Sequence, residues 1–100
     1  MVQGLDFEVT QSDDSAVVAI AGEVDFASAP ELAGVLAELD QLRVTVDLSG
    51  VTFLDSAGLN TLVQAREQIR KRGGTLTVQG ASPMVRKTFE ITGLHDLFFG

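Results

Sequence analysis

Short apolar runs alternate with amphipathic segments along most of this 100-residue chain. Three segments have the length and residue content of strands: the apolar runs Ala16–Ala21 and Val44–Leu48, and the alternating segment Thr75–Gln79. Each of the first two is separated from the next by a segment with apolar residues at helical spacing. A helix that links two strands of one sheet makes a right-handed crossover, so the alternation predicts that these three strands are parallel.

A fourth strand is predicted near the N-terminus, where Leu5, Phe7 and Val9 alternate with polar residues. The turn-forming segment Ser12–Ser15 connects it to Ala16–Ala21, whose unbroken apolar run predicts burial on both faces. The expected fold is therefore a mixed α/β sheet: an N-terminal antiparallel hairpin, then β-α-β-α-β-α, with helices packed on one or both faces. We expect a single domain over residues 1–100.

The helix boundaries carry recognisable signals. Ser28 and Glu31 have the spacing of a capping box, in which Ser28 accepts from the backbone of Glu31 and Glu31 reaches back. The predicted helices run from Ser28 to about Asp40, from about Ser56 to Gly73, and from Pro83 to Gly93. The tail Leu94–Phe99 is too apolar to remain in water, so we expect it to dock as a short final element.

The loops that follow parallel strands gather at one edge of a sheet, which is where ligands and partners usually bind. Here these loops are Glu23–Phe26, Ser49–Ser56 and Gly80–Ser82. We therefore expect them to bring Asp25, Ser56, Gly80 and Ala81 into one neighbourhood.

Of the residues at this edge, Ser56 most clearly indicates a chemical role. Ala57 and Gly58 leave space around it, and glycine in a first helical turn is not chosen for helix stability. Asn60 adds a polar group on the exposed side of the helix. A structural role is the alternative: Ser56 is the N-cap itself, or Asp55 is the cap and Ser56 is the first helical residue.

Enzyme chemistry at Ser56 lacks the necessary partners in the sequence. A serine nucleophile needs a base, an orienting acid and an oxyanion hole. The one histidine is His95, in the tail, and there is no cysteine and no Gly-x-Ser-x-Gly elbow. Lys71 is predicted at the far end of the helix that begins at Ser56. We predict that the protein is not an enzyme and that catalytic residues are absent.

Strand-end carboxylates offer a second kind of chemistry, a magnesium site formed by Asp25, Asp47 and Asp55. No adjacent pair of acids follows Ala16–Ala21, the first of the parallel strands, and no lysine lies near the end of the last one. Gly-rich phosphate loops are also missing. We therefore predict neither a metal nor a cofactor.

Charge is distributed unevenly along the chain. The net charge is −7, and residues 1–42 carry nine of the 14 acidic residues and none of the seven basic ones. This argues against nucleic-acid binding. The acidic half is either a solvated face or a surface that steers a basic protein partner. Neither a signal peptide nor a membrane span is predicted, so the expected location is the cytoplasm.

Three segments resemble a known family. Gly22-Glu23-Val24-Asp25 before a helix, followed by Val46–Leu59 (VDLSGVTFLDSAGL), is similar to the STAS domain and especially to the stand-alone anti-sigma factor antagonists of bacteria. Ile91–Phe98 is also similar to the ending of that family. The resemblance extends from about Leu5 to Phe98.

The resemblance implies a phosphorylation switch. In the family, the unphosphorylated antagonist binds an anti-sigma factor, a serine kinase with a histidine-kinase-like ATP-binding fold, and so releases the sigma factor. That kinase phosphorylates the serine of the Asp-Ser-x-Gly motif, here Ser56, and a PP2C-type phosphatase reverses the reaction. The expected partner-binding residues are Glu23, Asp25, Asp55, Ser56, Ala57, Gly58, Asn60, Gly80 and Ala81. STAS domains also serve as constitutive adaptor subunits of stress-signalling or lipid-transport complexes, and that alternative stays open.

Overall fold

The structure is a computed structural model that describes residues 5–99. Its elements are β1 (Asp6–Gln11), β2 (Ser15–Val24), α1 (Ala29–Ala37), β3 (Arg43–Leu54), α2 (Ser56–Lys71), β4 (Thr75–Gln79), α3 (Pro83–Ile91) and α4 (His95–Phe99). The predicted mixed α/β fold and its element order are confirmed. The single domain over residues 1–100 stays a prediction, because it includes residues 1–4 and 100, which lie outside the described range.

The four strands form one sheet in the order β1-β2-β3-β4. β1 pairs with β2 in the antiparallel direction, and β2, β3 and β4 are mutually parallel. Helices α1 and α2 are the crossovers that connect the parallel strands. The carboxyl ends of β2 and β3 therefore point in the same direction.

One face of the sheet is buried under the helices and the other is open to solvent. Val18, Val46 and Val78 are aligned across the parallel strands, and each is at most 6% exposed. On the opposite face Val17, aligned with Thr45, is 38% exposed. The prediction that Ala16–Ala21 is buried on both faces is therefore wrong, because within residues 5–99 the helices pack on one face only.

β3 is longer than predicted and continues beyond Leu48 to Leu54. Ser49-Gly50 looks like a turn in the sequence, but register shifts between β2 and β3 keep these residues in the sheet. Gly50 allows this close pairing because it has no side chain. A Cβ at this position would clash with the Cβ of Ala21, at 2.9 Å. The predicted loop Ser49–Ser56 is thus mostly strand, and it ends beside Val24 of β2.

The predicted capping box at α1 is wrong. Ser28 has helical backbone angles (φ −96°, ψ −13°), and its side chain makes no capping bond. Its hydroxyl instead donates to the carbonyl of Glu23 (2.8 Å), while Glu31 Oε1 accepts from the N–H of Leu5 (3.1 Å). Partners outside the helix therefore engage both side chains: Ser28 bonds within the preceding loop, and Glu31 bonds to Leu5, immediately before β1.

The C-terminal segment docks, as predicted. Phe98 is 1% exposed, and its ring lies 5.4 Å from that of Phe89 in an edge-on arrangement. The guanidinium of Arg86 lies 4.5 Å from the centre of the Phe99 ring, within cation–π range. These contacts attach α4 to α3.

Candidate functional site

Asp55 joins the end of β3 to the start of α2. Its backbone is extended (φ −102°, ψ −175°), and its carboxylate accepts from the N–H of Gly58 (3.0 Å). This is the geometry of an N-cap. Of the two alternatives left open by the sequence, the structure selects Asp55 as the cap and Ser56 as the first residue of the helix.

Ser56 is exposed at this helix start. Its hydroxyl has no hydrogen-bond partner among residues 5–99, so no described contact uses it for capping. The N-terminal turn of a helix has N–H groups without intrahelical acceptors and a positive dipole end, and both favour an anion there. A serine so placed can accept a negatively charged group without disturbing the fold.

The second carboxylate oxygen of Asp55 holds the loop between β2 and α1. It accepts from the N–H of Phe26 (3.1 Å), and the N–H of Asp55 donates to the carbonyl of Val24 (3.1 Å). The structure thereby brings the loop that contains Asp25 against Asp55 and Ser56. Glu23, at the end of β2, is exposed and pairs with Phe53 of β3.

Asp25 closes this loop by a compact set of hydrogen bonds with Ser28. Its carboxylate accepts from the backbone N–H of Ser28 (3.0 Å) and lies 3.1 Å from the Ser28 hydroxyl, whose one proton it shares with the carbonyl of Glu23. The N–H of Asp25 in turn donates to the Ser28 oxygen (3.0 Å). Donation from the Ser28 backbone, helped by the hydroxyl, lowers the pKa of Asp25 below its ordinary value.

Gly58 has a packing role that the sequence did not indicate. It is buried, and a Cβ at this position would lie 2.5 Å from Cγ1 of Val24 and 2.8 Å from Cδ1 of Leu54. Its small size therefore lets the first turn of α2 approach the ends of β2 and β3. The interpretation that Gly58 leaves open space around the serine is wrong.

The neighbouring residues of α2 differ in how accessible they are. Ala57 is half-buried and Asn60 is exposed. Asn60 lines a groove between α1 and α2, together with Ala33 and Ala37. Of these two α2 residues, Asn60 has the more exposed side chain.

Gly80 and Ala81 do not join the neighbourhood of Ser56. β4 ends with Gln79 opposite Asp47, whereas β3 continues through residues 48–54 before Ser56 begins α2. A side chain at Gly80 would collide with Ser49 Oγ and Asp47 Oδ1. The prediction of one common neighbourhood is therefore wrong for these two residues, because the parallel strands have unequal lengths.

Phe26 is a residue of the site that the sequence reasoning did not select. Its side chain is 82% exposed, although its backbone is bonded to Asp55. Phe53, at 46% exposure, lies two residues before Asp55. The signal in the sequence was a large apolar residue inside a predicted loop, between Asp25 and Ala27.

Two side chains considered above for catalysis and for a magnesium site, His95 and Asp47, make other contacts within residues 5–99. His95 stacks on Phe99 at a centroid distance of 4.9 Å, and its Nδ1 lies 3.2 Å from Asp96 Oδ1. Asp47 is bonded to the hydroxyl and the N–H of Ser49, and the hydroxyl in particular lowers the pKa of this carboxyl. Within residues 5–99, no three His, Cys, Asp or Glu side chains are grouped to hold a metal ion.

No helix in that range is long and apolar enough to cross a membrane.

Comparison with known proteins gives the fold and the site a family context. A family model described as "Mlab, STAS domain" matches residues 7–99. The anti-sigma-B factor antagonist of Bacillus subtilis (strain 168) is 34% identical over 95 residues, which cover 93% of this chain and 87% of that protein. The similarity therefore includes β2, β3 and the segments that precede and follow Ser56.

Solved structures share the architecture. An anti-sigma factor antagonist from Mycobacterium paratuberculosis superposes with a TM-score of 0.84 at 31% identity, covering 95% of this chain and 83% of that one. SpoIIAA superposes in its unphosphorylated form (TM-score 0.78, 18% identity, 94% of this chain and 86% of that one). It also superposes in its phosphorylated form (TM-score 0.75, 17% identity, 94% and 89%). At these lower identities SpoIIAA shows the shared fold alone.

Proposed function

This chain belongs to the STAS domain family, and we propose that it is an anti-sigma factor antagonist that is switched off by phosphorylation of Ser56. In the unphosphorylated form it binds an anti-sigma factor and so releases the sigma factor. The single observation that carries the proposal is the exposed hydroxyl of Ser56 at the first position of α2, which has no hydrogen-bond partner among residues 5–99. The 34% identity to an anti-sigma-B factor antagonist supports the same function.

The proposed covalent step is a phosphoryl transfer in which this chain is the substrate. A serine kinase transfers the γ-phosphoryl group of ATP to Ser56 Oγ, so that an O–P bond forms and ADP leaves. The hydroxyl proton passes to a base of the kinase. A PP2C-type phosphatase would hydrolyse the phosphoserine and restore the hydroxyl. Because the reaction uses ATP and regulates transcription, the proposed location is the cytoplasm.

The geometry gives a physical reason for loss of binding after phosphorylation. The phosphate adds a charge of about −1.5 to −2 beside the carboxylate of Asp55. The helix N-terminus tolerates this anion, so the fold need not change. A partner surface that fits the neutral serine must then accommodate both bulk and charge. Loss of a single hot-spot contact at the centre of an interface costs about 2 kcal/mol or more.

The test uses purified anti-sigma factor kinases encoded in the source genome. Each is incubated with this protein and ATP, and the modified residue is mapped by mass spectrometry. We expect phosphorylation at Ser56 and at least about tenfold weaker binding of the phosphorylated protein, equivalent to about 1.4 kcal/mol. Ser56→Ala should bind without being switched.

Ser49→Ala is the matched control, because Ser49 is also exposed but lies beside Asp47, away from Asp55. This variant should be phosphorylated and switched like the parent protein. Modification at another residue, or equal affinity before and after phosphorylation, would contradict the proposal. Equal affinity would instead favour a constitutive adaptor, in which Ser56 is only a fixed contact.

A further inference from the structure

Phe26 is the most exposed of the large apolar side chains in residues 5–99, at 82%, compared with 74% for Ile91 and 71% for Met84. A single exposed apolar residue is common on protein surfaces and by itself indicates nothing. Phe26 differs from the others because its backbone is bonded directly to the residue that precedes Ser56.

The loop around Phe26 is held on both sides. Asp55 Oδ2 accepts from the N–H of Phe26, and its other oxygen accepts from Gly58 in α2. Asp25 and Ser28, which flank Phe26, bond to each other through both backbone and side chains. The ring is therefore presented by a loop that is ordered before any partner arrives, so less conformational entropy is lost on binding.

The surroundings of the ring define the chemistry of a complementary surface. Glu23 is exposed, Asp25 and Asp55 lie on either side of the loop, and residues 1–42 contain no Lys or Arg. None of these three acids forms an ion pair within the part of the chain that the structure describes. A matching surface would therefore combine an apolar pocket for the ring with basic groups at its rim.

We propose that Phe26 is the apolar anchor by which the anti-sigma factor recognises this protein, and that it inserts into a pocket edged by Arg or Lys. The proposal rests on the proposed function. It assigns affinity for the anti-sigma factor to the contact made by Phe26, whereas phosphorylation of Ser56 controls whether binding occurs. Rigid aromatic side chains at the centre of an interface are frequent hot spots. A second copy of this chain is a poorer occupant, because its own Phe26 is surrounded by the same acidic residues.

The test compares three variants in calorimetric titrations with the purified kinase that phosphorylates Ser56. Phe26→Ala removes the ring, Phe26→Leu keeps an apolar side chain, and Leu42→Ala is the matched control. Leu42 is 43% exposed and precedes β3, at the opposite end of that strand from Leu54. Because both side chains are exposed, we expect all three variants to keep the circular dichroism spectrum and Tm of the parent.

We expect Phe26→Ala to weaken binding at least tenfold. Phe26→Leu should keep most of the affinity that Phe26→Ala loses, and Leu42→Ala should bind like the parent. If Phe26→Ala binds within twofold of the parent while phosphorylation of Ser56 still weakens binding, the anchor is refuted and the proposed function stands. If no kinase binds the parent protein, the proposed function fails and the anchor fails with it. A change in self-association alone, measured by sedimentation, would assign Phe26 to a second copy and refute the proposal.

Discussion

At the scale of single residues, Asp55 organises the site because its two carboxylate oxygens have different partners. One accepts from Gly58 and starts α2, and the other accepts from Phe26 and holds the neighbouring loop. Ser56 follows directly, and its hydroxyl bonds to none of the residues that the structure describes. The residue beside the proposed phosphorylation site is thus the residue that positions the proposed anchor.

Gly58 gives a residue-scale prediction about stability. Gly58→Ala places a methyl group 2.5 Å from Val24 Cγ1, so we expect the free energy of unfolding to fall by about 1–3 kcal/mol through overpacking. Gly34→Ala is the matched control, since nothing lies within 4 Å of a Cβ at that helical position. We expect Gly34→Ala to stabilise the protein by about 0.5–1 kcal/mol, because alanine favours helix. Urea unfolding measures both, and equal effects would contradict the packing role of Gly58.

Asp25 gives a residue-scale prediction about pH. Its folded pKa is lowered from 3.8, first by the backbone N–H of Ser28. The unfolded state therefore binds the proton more readily, so the carboxylate contributes stability above pH 3.8 that is lost as the pH falls through the lower folded pKa. In urea unfolding between about pH 6 and pH 2, Asp25→Asn should lose less stability than the parent. Identical pH dependences, or a carboxyl that titrates at or above its ordinary pKa by NMR, would count against this hydrogen bonding.

At the scale of elements, the short helix α4 completes the core instead of extending from it. Phe98 packs edge-on against Phe89, and Arg86 lies over Phe99. A helix of five residues is too short to be stable by itself, so its helicity depends on these contacts.

The contribution of α4 can be measured with two adjacent residues. Phe98→Ala should lower the free energy of unfolding by about 3 kcal/mol, the lower end of the usual range, because a terminal helix can move to fill part of the cavity. Leu97→Ala is the control, because Leu97 is 41% exposed whereas Phe98 is 1% exposed. It should cost less than about 1 kcal/mol. Similar losses for the two variants in urea unfolding would show that α4 is not docked through Phe98.

At the scale of the whole molecule, charge is polarised along the chain, and part of the acidic half lies at the Ser56 site. The acidic residues of 1–42 include Glu23 and Asp25 at the Ser56 site, whereas α2 ends with Arg70 and Lys71, far from its Ser56 end. When a partner surface carries the complementary charge, the attraction accelerates association more than it strengthens the bound complex. We therefore expect charge and the Phe26 ring to act on different rate constants.

Stopped-flow association with the kinase that binds this protein tests that separation. The association rate constant should fall as salt rises, because the Debye length shortens from about 30 Å at 0.01 M to about 8 Å at 0.15 M. Glu23→Gln should reduce both the rate constant and its salt dependence. Glu38→Gln is the control, since Glu38 is also exposed but follows the far end of α1. If both variants behave alike, only the net charge matters and steering by the site is refuted.

The periodic features of the sequence predicted most of the fold. Alternation in β1, the apolar runs of the other strands and the proline and glycine signals of α3 are local, so they could be recognised without knowing the neighbours. The length of β3 could not, because Ser49-Gly50 resembles a turn until β2 is present to pair with it. The Ser28–Glu31 pattern failed for a similar reason, since both side chains bond to residues outside the helix.

For the site, the sequence by itself determined that Asp55 and Ser56 stand at the junction of a strand and a helix, and the structure decided that Asp55 is the cap. It also determined the acidic character of the N-terminal half. Only the tertiary structure decided that Asp55 holds Phe26, that Gly58 is buried, and that Gly80 lies beside Asp47 instead of Ser56. The physical reason is that these facts depend on how far each strand extends before its chain turns away. That length is fixed by pairing with a neighbouring strand and is not encoded in any one segment.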